Sequence, residues 1–337
     1  SISGKINAAL RIFGTGIKRN YEKILDDFQP DIVHLNNIHS YLSPIVAKLA
    51  HAREIKVIWT IHDYKLVCPS YACLYKGRPC EVCFVNKFKV ISRKCMKNSL
   101  TASTLAWGEA IYWSKKKLSL WTDAFICPSN FMMQKMIQGG YPENKLHTIS
   151  NFISDEKSEF ISKISTVEKE MAYAYIGRLS VEKGVEDLLK VAVQLPYKLY
   201  IAGRGPLENV FKKKYASDNI IFLGHISAKE IVILLKKVQF SIIPSICYEN
   251  NPLGVIESLC CGTPVLGRNI GGIPELLKTN ICNILFNDNN DLESSIAKMF
   301  TLNSEIERKE LSTVAHNYFS AEQYYQKWLG IVQGISS

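Results

Sequence analysis

Residues 244–275, PSICYENNPLGVIESLCCGTPVLGRNIGGIPE, decide how the rest of the chain is read. The apolar run VQFSIIP, Val238 to Pro244, has the length and composition of a buried strand, and it empties into a polar loop holding Glu249, Asn250 and Asn251. Pro252 follows, and Leu253, Ile256, Leu259 and Cys260 then recur at helical spacing. Proline loses nothing in a first helical turn, where its missing donor has no intrahelical partner. A strand feeds a loop, and the loop opens a helix. The free amides at that helix start, around Pro252, Leu253 and Gly254, together with the positive end of the helix dipole, suit an anion such as phosphate. Glu249 lies in the loop and Glu257 about two turns into the helix, so both can face one crevice. Carboxylates accept paired hydrogen bonds from vicinal hydroxyls, the groups that sugars and riboses present. Either glutamate alone reads as a cap or a solvated helix residue; the combined string reads as a ligand site.

A chain of 337 residues exceeds what one core usually serves, so two domains are expected. With 47% apolar residues and no long uncharged apolar run, it reads as globular without a membrane-spanning helix. Ten cysteines, unevenly placed and including the adjacent Cys260 and Cys261, suit a reducing compartment better than a disulfide framework. Residues 1–150 hold 21 Lys plus Arg against 10 Asp plus Glu, a net +11, while the remainder holds 20 against 21. The first half is therefore basic, a match for phosphorylated ligands or an anionic membrane surface. Without a nucleic-acid motif, nucleic acid ranks last among the partners.

Along the chain, strands are expected at 31–35, 56–61, 123–128 and 145–150, then from Met171 (MAYAYIGRL) and over KLYIAG, NIIFLG, VQFSII and TPVLG, with helices between. The first strand signal comes late, so the beginning reads as the middle of an α/β domain. His62 and Asp63 stand at the carboxyl end of the second strand, where open parallel sheets collect ligand residues. A helix is expected from Tyr41 to His51. Between Cys68 and Cys95 lies a basic insertion with Cys73, Cys80 and Cys83 inside it; a thiolate metal site built from Cys73, Cys80, Cys83 and Cys95 and a set of free thiols both remain open. Leu105 to Trp121, LAWGEAIYWSKKKLSLW, sets three tryptophans beside three lysines on one helix or a helix pair. It reads either as a membrane-surface element or as a core helix with a solvated basic end.

Basic groups converge on the same crevice. Gly177 and Arg178 end the strand from Met171, and Lys183 follows at a helix start. Arginine supplies a planar, permanently charged fork for phosphate oxygens, and lysine a mobile point charge. Gly203 and Gly205, in Gly-Arg-Gly-Pro, end the next strand. No Asp-x-Asp pair offers to hold a metal-bound diphosphate, so cationic side chains have that task and no metal or cofactor is expected.

GRLSVEKG (177–184), IAGRGP (201–206), Glu249 with Glu257, CGTPV (261–265) and GGIPE (271–275) closely resemble the GT-B glycosyltransferases, in particular the large retaining family 4. PDIVHLNN (30–37) and TIHDYKLVCP (60–69) resemble the acceptor domain of its bacterial surface-polysaccharide members. The resemblance implies two Rossmann-like, doubly wound domains. These would be an acceptor-side domain over 1–152, apparently without its first strand–helix unit, a nucleotide-sugar domain over 153–320, and a C-terminal helix over 321–337 packing back across the cleft. It further implies that Arg178 and Lys183 neutralise the donor diphosphate, that Glu249 contacts donor sugar hydroxyls and Glu257 the ribose, and that Gly177, Gly203, Gly205, Asn250, Asn251, Pro252, Leu253 and Gly254 line the donor. His62 would orient the reacting end of the sugar, with Asn37 and Asp63 on the acceptor side. The expected activity is retaining, metal-independent transfer of a sugar to a surface saccharide or lipid-linked acceptor, by a cytoplasmic protein peripheral to the inner membrane face. The alternatives are a catalytically silent GT-B fragment that binds nucleotide-sugar or partner proteins, and a sugar-nucleotide epimerase.

Overall fold

A computed structural model of the chain describes residue 12 and residues 14–39, 42–164, 168–278, 282–302 and 305–336. Two compact units emerge. The first comprises residues 1–75, 80–149 and 327–337, and the second residues 76–79 and 150–326.

In the first unit, β1 (Ile32–Asn36), β2 (Lys56–Thr60), β3 (Ala124–Cys127) and β4 (Leu146–Thr148) stand in chain order, all parallel. Their sequences explain the arrangement: KVIWT and AFIC are nearly continuous apolar runs, which suit strands covered on both faces. Register sets Leu35 opposite Trp59 and Trp59 opposite Phe125, so the large rings meet across the sheet. Parallel neighbours need a crossover. Helix α1 (Lys18–Phe28) precedes β1, and α2 (Ile45–His51), which buries Ile45, Val46, Ala47, Leu49 and Ala50, links β1 to β2. The helix expected from Tyr41 begins at Ile45, after Pro44; Tyr41 itself lies outside the described residues.

The crossover from β2 to β3 carries the cysteine-bearing segment and then α3 (Leu100–Tyr112) and α4 (Lys115–Trp121). The tryptophan and lysine stretch is thus a helix pair, broken where Trp113 leaves helical geometry and Ser114 turns extended. Trp113 is buried, donates its indole N–H to the Ile12 carbonyl at 2.7 Å and meets Trp121 edge-on. Trp113 is thus a core residue, which fits the core-helix reading of this stretch at that position. Helix α5 (Asn130–Gln138) follows β3, its first turn capped by the Ser129 hydroxyl, which accepts from the Met132 amide at 3.1 Å.

The cysteines group differently from the set of four drawn from spacing. Cys73 and Cys83 both donate S–H toward Cys68, which favours the Cys68 thiolate and pushes the Cys73 and Cys83 thiols up. Cys80 instead accepts from the Arg93 guanidinium at 3.1 Å. All ten cysteines are free thiols, and among the described residues no three His, Cys, Asp or Glu side chains are arranged to hold a metal ion.

The second unit begins with α6 (Asp155–Lys163) and holds six parallel strands: β5 (Ala172–Ile176), β6 (Lys198–Ala202), β7 (Ile220–Gly224), β8 (Phe240–Ile243), β9 (Val265–Arg268) and β10 (Ile284–Phe286). Their spatial order is β7-β6-β5-β8-β9-β10. The chain winds one way from β5 to β7, then returns to the other side of β5 with β8. This is the doubly wound order with its reversal between β5 and β8. Helices α7 (Val185–Ala192), α8 (Glu208–Tyr215), α9 (Ala228–Lys237), α10 (Leu253–Cys260) and α11 (Ile273–Leu277) fill the crossovers, and α12 (Leu292–Met299) follows the last strand. β5 reads AYAYI: Tyr173 and Tyr175 enter the cluster with Leu188, Leu189, Phe211 and Phe240, while Ala172 and Ala174 let Leu234 of α9 come close on the other face. The capping box of Ser227 and Glu230 starts α9. β10, ILF, escapes the strand pattern because it is three residues long at the sheet edge.

Two helices close the chain, α13 (Glu305–Tyr318) and α14 (Ala321–Ser336). α13 packs Leu311 and Ala315 into the second unit's core, and α14 passes from the second unit into the first at residue 327.

Candidate functional site

The reversal between β5 and β8 is the place where ligands enter sheets of this order, outside the carboxyl ends of the strands. β5 delivers Gly177 and Arg178, and β8 delivers the loop 244–252. The glycines make this geometry possible. A Cβ on Gly203 would lie 1.9 Å from the Gly177 carbonyl oxygen, and one on Gly205 would lie 2.2 Å from that of Leu179. The two loops interlock through Gly177 N to Ala202 O (2.9 Å) and Leu179 N to Arg204 O (3.0 Å). Arg178 is held between these bonds. Its carbonyl accepts from the Tyr175 hydroxyl at 2.8 Å, while its guanidinium is exposed and has no partner among the described residues. Gly184, at φ +65°, sits against the Pro244 carbonyl, where a Cβ would be 2.1 Å away, and so brings Lys183 to the β8 loop.

There Lys183 Nζ donates to Glu249 Oε1 at 2.6 Å, and the Ser245 hydroxyl donates to the same oxygen at 2.6 Å. The two charged side chains are 29% and 14% exposed. Burial presses the Lys183 ammonium toward neutrality, but the Glu249 carboxylate more than offsets this and holds its pKa above the usual lysine value. The backbone of Glu249 is fixed from the GGIPE side: its carbonyl accepts from Gly272 N at 2.7 Å, and a Cβ on Gly271 would be 2.3 Å from that carbonyl. Beyond the loop, α10 opens at Pro252 with Leu253 and Gly254 exposed.

Three residues have neighbours that the sequence does not signal. Glu257 is ion-paired with Lys157 of α6, a partner a hundred positions away that no local pattern signals. Asn251 is 6% exposed, and its side-chain oxygen accepts from Asn151 N (3.0 Å) and Ser150 Oγ (3.2 Å) while its amide donates to Ser150 Oγ (3.0 Å). It fastens the segment that leads into the unit. Cys247, within the loop, was not anticipated as a neighbour of Glu249; burial first, and then the Glu249 charge, pushes its thiol up to about 12.

The first unit carries its own cluster. His62 follows β2, and its Nε2 lies 2.8 Å from Asn36 Oδ1. It is exposed at its rim, yet crowding by the strand ends lowers the imidazole pKa, with Asp63 pulling the other way. Asp63 accepts from the Lys65 amide at 2.8 Å; burial raises its carboxyl pKa, against the opposing effect of that bond and of the Lys65 charge. Asn37 is exposed with φ +48°, and with His62, Asp63 and His39 it lines a small pocket at the strand ends. His39, not picked out from sequence, packs its ring against Trp59 at a tilt, and burial pushes its imidazole down to about 3.

A doubly wound sheet with a free guanidinium, a lysine–carboxylate pair and a helix start at its switch point defines an α/β protein suited to a phosphorylated, hydroxyl-rich ligand. Residues 156–317 match the family described as Glycosyl transferases group 1, and residues 8–157 match Glycosyltransferase Family 4. An uncharacterized 42.6 kDa protein in the cps region of Klebsiella pneumoniae is 29% identical over 287 residues, covering 84% of this chain and 69% of that protein. Anabaena HepE, solved in complex with UDP-glucose, has a TM-score of 0.65 at 16% identity and covers 94% of this chain and 81% of its own. Sucrose-phosphate synthase from Thermosynechococcus elongatus has a TM-score of 0.67 at 14% identity, with 97% and 79% covered. The two matched glycosyltransferase segments together span residues 8–317, and the chain has the fold of the GT-B glycosyltransferases.

Proposed function

We propose that the chain transfers a sugar, with retention at the anomeric carbon, from a nucleotide-sugar donor to a growing surface saccharide or lipid-linked acceptor. The observation that carries this reading is the convergence of Arg178, Lys183, Glu249 and the start of α10 where the strand order reverses. The likeness to Anabaena HepE, solved with UDP-glucose, and to a Klebsiella protein of a cps region supports a nucleotide-sugar donor and a surface polysaccharide product.

In this reading the donor diphosphate takes the Arg178 fork and the free amides of Leu253 and Gly254. Lys183 stays protonated on Glu249 and shares its charge between that carboxylate and the phosphate. As the bond to the anomeric carbon lengthens, negative charge gathers on the leaving diphosphate. Fixed cationic groups then gain more in the transition state than in the ground state, and this difference lowers the barrier. Glu249 receives donor sugar hydroxyls, and the Glu257 carboxylate receives the ribose diol. Asn36 orients the His62 ring; with Nε2 donating to it, Nδ1 is left to accept from a hydroxyl.

An anionic inner-membrane surface would meet the first unit at α3 and α4, where Ile111 and Leu120 are exposed beside Lys115, Lys116 and Lys117. No helix among the described residues is long and apolar enough to cross a membrane.

A thermal-shift screen of nucleoside diphosphates and nucleotide-sugars tests the donor reading. A ligand at a hundred times its Kd stabilises by about 2.7 kcal/mol. At least one diphosphate should raise the melting temperature, and Arg178→Ala should diminish the rise. Absence of any shift, or a shift that Arg178→Ala leaves intact, contradicts the reading.

A further inference from the structure

A cavity of about 580 Å³ opens in the first unit between α3, the segment before α2 and the end of β2. That volume lies within the range of small-ligand sites, roughly 300–1,000 Å³. One side is polar: Lys65 Nζ is 2.7 Å from Glu109 Oε2, with the two side chains only 10% and 13% exposed, and Asp63 adjoins them. A charge pair held this far from water persists only when its hydrogen bonds are satisfied, and Lys65 has a second acceptor in the Pro69 carbonyl at 3.2 Å. The other side is apolar. Ala102, Leu105 and Ala106 come from the same face of α3 as Glu109, at helical spacing, and Leu42 and Met96 stand with them.

Tyr71 completes the lining. It is 46% exposed and adopts φ +54°, a left-handed backbone that an aromatic residue rarely tolerates, fixed by its amide donating to Cys68 O at 2.7 Å. Lys97, which also lines the cavity, shares this conformation at φ +53°. Backbone strain of this kind collects at ligand sites, where the surrounding structure over-determines it.

Resting on the acceptor reading above, we infer that this cavity receives the acceptor as a pyranoside with an apolar aglycone: hydroxyls on Asp63 and Glu109, the sugar's C–H face on the Tyr71 ring, and the aglycone along α3. A pyranose offers hydroxyl edges to carboxylates and an apolar face to an aromatic ring. Asp63 also lines the pocket beside His62, so the sugar end of the ligand reaches the strand ends where His62 stands.

The test is calorimetric titration of the full chain with methyl and octyl β-D-glucopyranoside and β-D-galactopyranoside, the octyl compounds kept below their micelle concentrations. Burying two methylenes suffices for a tenfold gain, so at least one octyl glycoside should bind ten times more tightly than its methyl partner. Tyr71→Gly removes the ring while relieving the positive φ, so the variant should fold and bind at least tenfold more weakly. Ala102→Trp fills the apolar side and should erase the octyl preference. Equal binding of methyl and octyl glycosides, no glycoside binding at all, or wild-type affinity in both variants overturns the inference. UDP-induced thermal stabilisation in the same preparations separates the two readings. If it persists without glycoside binding, the cavity assignment fails alone; if it is absent while glycosides bind as described, the donor reading fails and the cavity assignment stands.

Discussion

Gly203→Ala should unseat the loop that presents Arg178. Gly203 follows β6 with φ +135°, and a Cβ there would lie 1.9 Å from the Gly177 carbonyl oxygen. Since Cβ atoms essentially never come within 3.0 Å of such a neighbour, the carbonyl must retreat by about 1.1 Å. It cannot move alone. Gly177 N is bound to Ala202 O, Leu179 N to Arg204 O, Leu207 N to Leu179 O, and Gly203 N itself to Gly224 O at 2.7 Å. Backbone strain of this type costs about 1–3 kcal/mol, and each weakened hydrogen bond about 1 kcal/mol more. A total of roughly 2–5 kcal/mol is a large share of a domain's 5–15 kcal/mol, and in a unit of this size it corresponds to a fall in melting temperature of roughly 5–15 °C. Because Arg178 lies between the strained bonds, UDP affinity should fall at least tenfold in the protein that remains folded. Calorimetry gives the melting temperature and titration gives the affinity. Gly254→Ala is the stability control, since nothing lies within 4 Å of its added Cβ. A Gly203→Ala protein that melts within about 2 °C of wild type and binds UDP equally well would refute the argument.

Asn251→Ala should cost about 1–3 kcal/mol through the lost bonds to Ser150 and Asn151, yet leave nucleotide affinity unchanged; a selective loss of affinity in urea-stable protein would return Asn251 to the ligand. Tyr173→Phe removes a buried hydroxyl that has no partner inside the Phe240 cluster, and should raise stability by about 1 kcal/mol in a urea melt; destabilisation would mean the hydroxyl is satisfied. His39 is held neutral in the folded state and titrates near 6.5 when unfolded, so below pH 6.5 the unfolded chain binds the extra proton. Stability therefore falls as pH drops from 6.5 toward 3, by up to about 1.4 kcal/mol per pH unit. Burial lowers the imidazoles of His34, His62, His147 and His316 as well, so His39→Phe should lessen, not remove, the fall in melting temperature between pH 7 and pH 5, and an unchanged slope would remove His39 as a cause.

The strand ends were the most legible part of the sequence, for a physical reason. MAYAYIGRL and VQFSIIP change from apolar to glycine, proline and charge at the residues where β5 and β8 stop, so period and turn chemistry agree there. Arg178, Lys183 and Glu249 inherit their positions from those ends. Side-chain pairing across long separations was not legible. The Lys157 partner of Glu257 and the Ser150 partner of Asn251 come from the segment that enters the second unit, about a hundred positions upstream. The same limit applies to the cysteines, where spacing suggested Cys80 but folding turns Cys80 to Arg93 and leaves Cys68 with Cys73 and Cys83. The Lys65 and Glu109 pair, split by the whole cysteine-bearing segment, is a further case. Trp113 shows the reverse difficulty: an aromatic beside three lysines looks interfacial in a string, and only the Ile12 carbonyl that receives its N–H reveals it as core.

The claim that Arg178 stabilises charge on a leaving diphosphate is tested most directly by donor turnover in Arg178→Lys at saturating nucleotide-sugar. The guanidinium is exposed and has no partner among the described residues, which makes the substitution structurally mild, so the melting temperature should be unchanged. Lysine keeps the charge but loses the planar fork, and complete loss of such a group is worth about 2–4 kcal/mol of transition-state stabilisation. The account predicts a fall in kcat of at least about tenfold for Arg178→Lys and a deeper fall, roughly 30- to 1,000-fold, for Arg178→Ala. An Arg178→Lys enzyme that turns over within about twofold of wild type would contradict it.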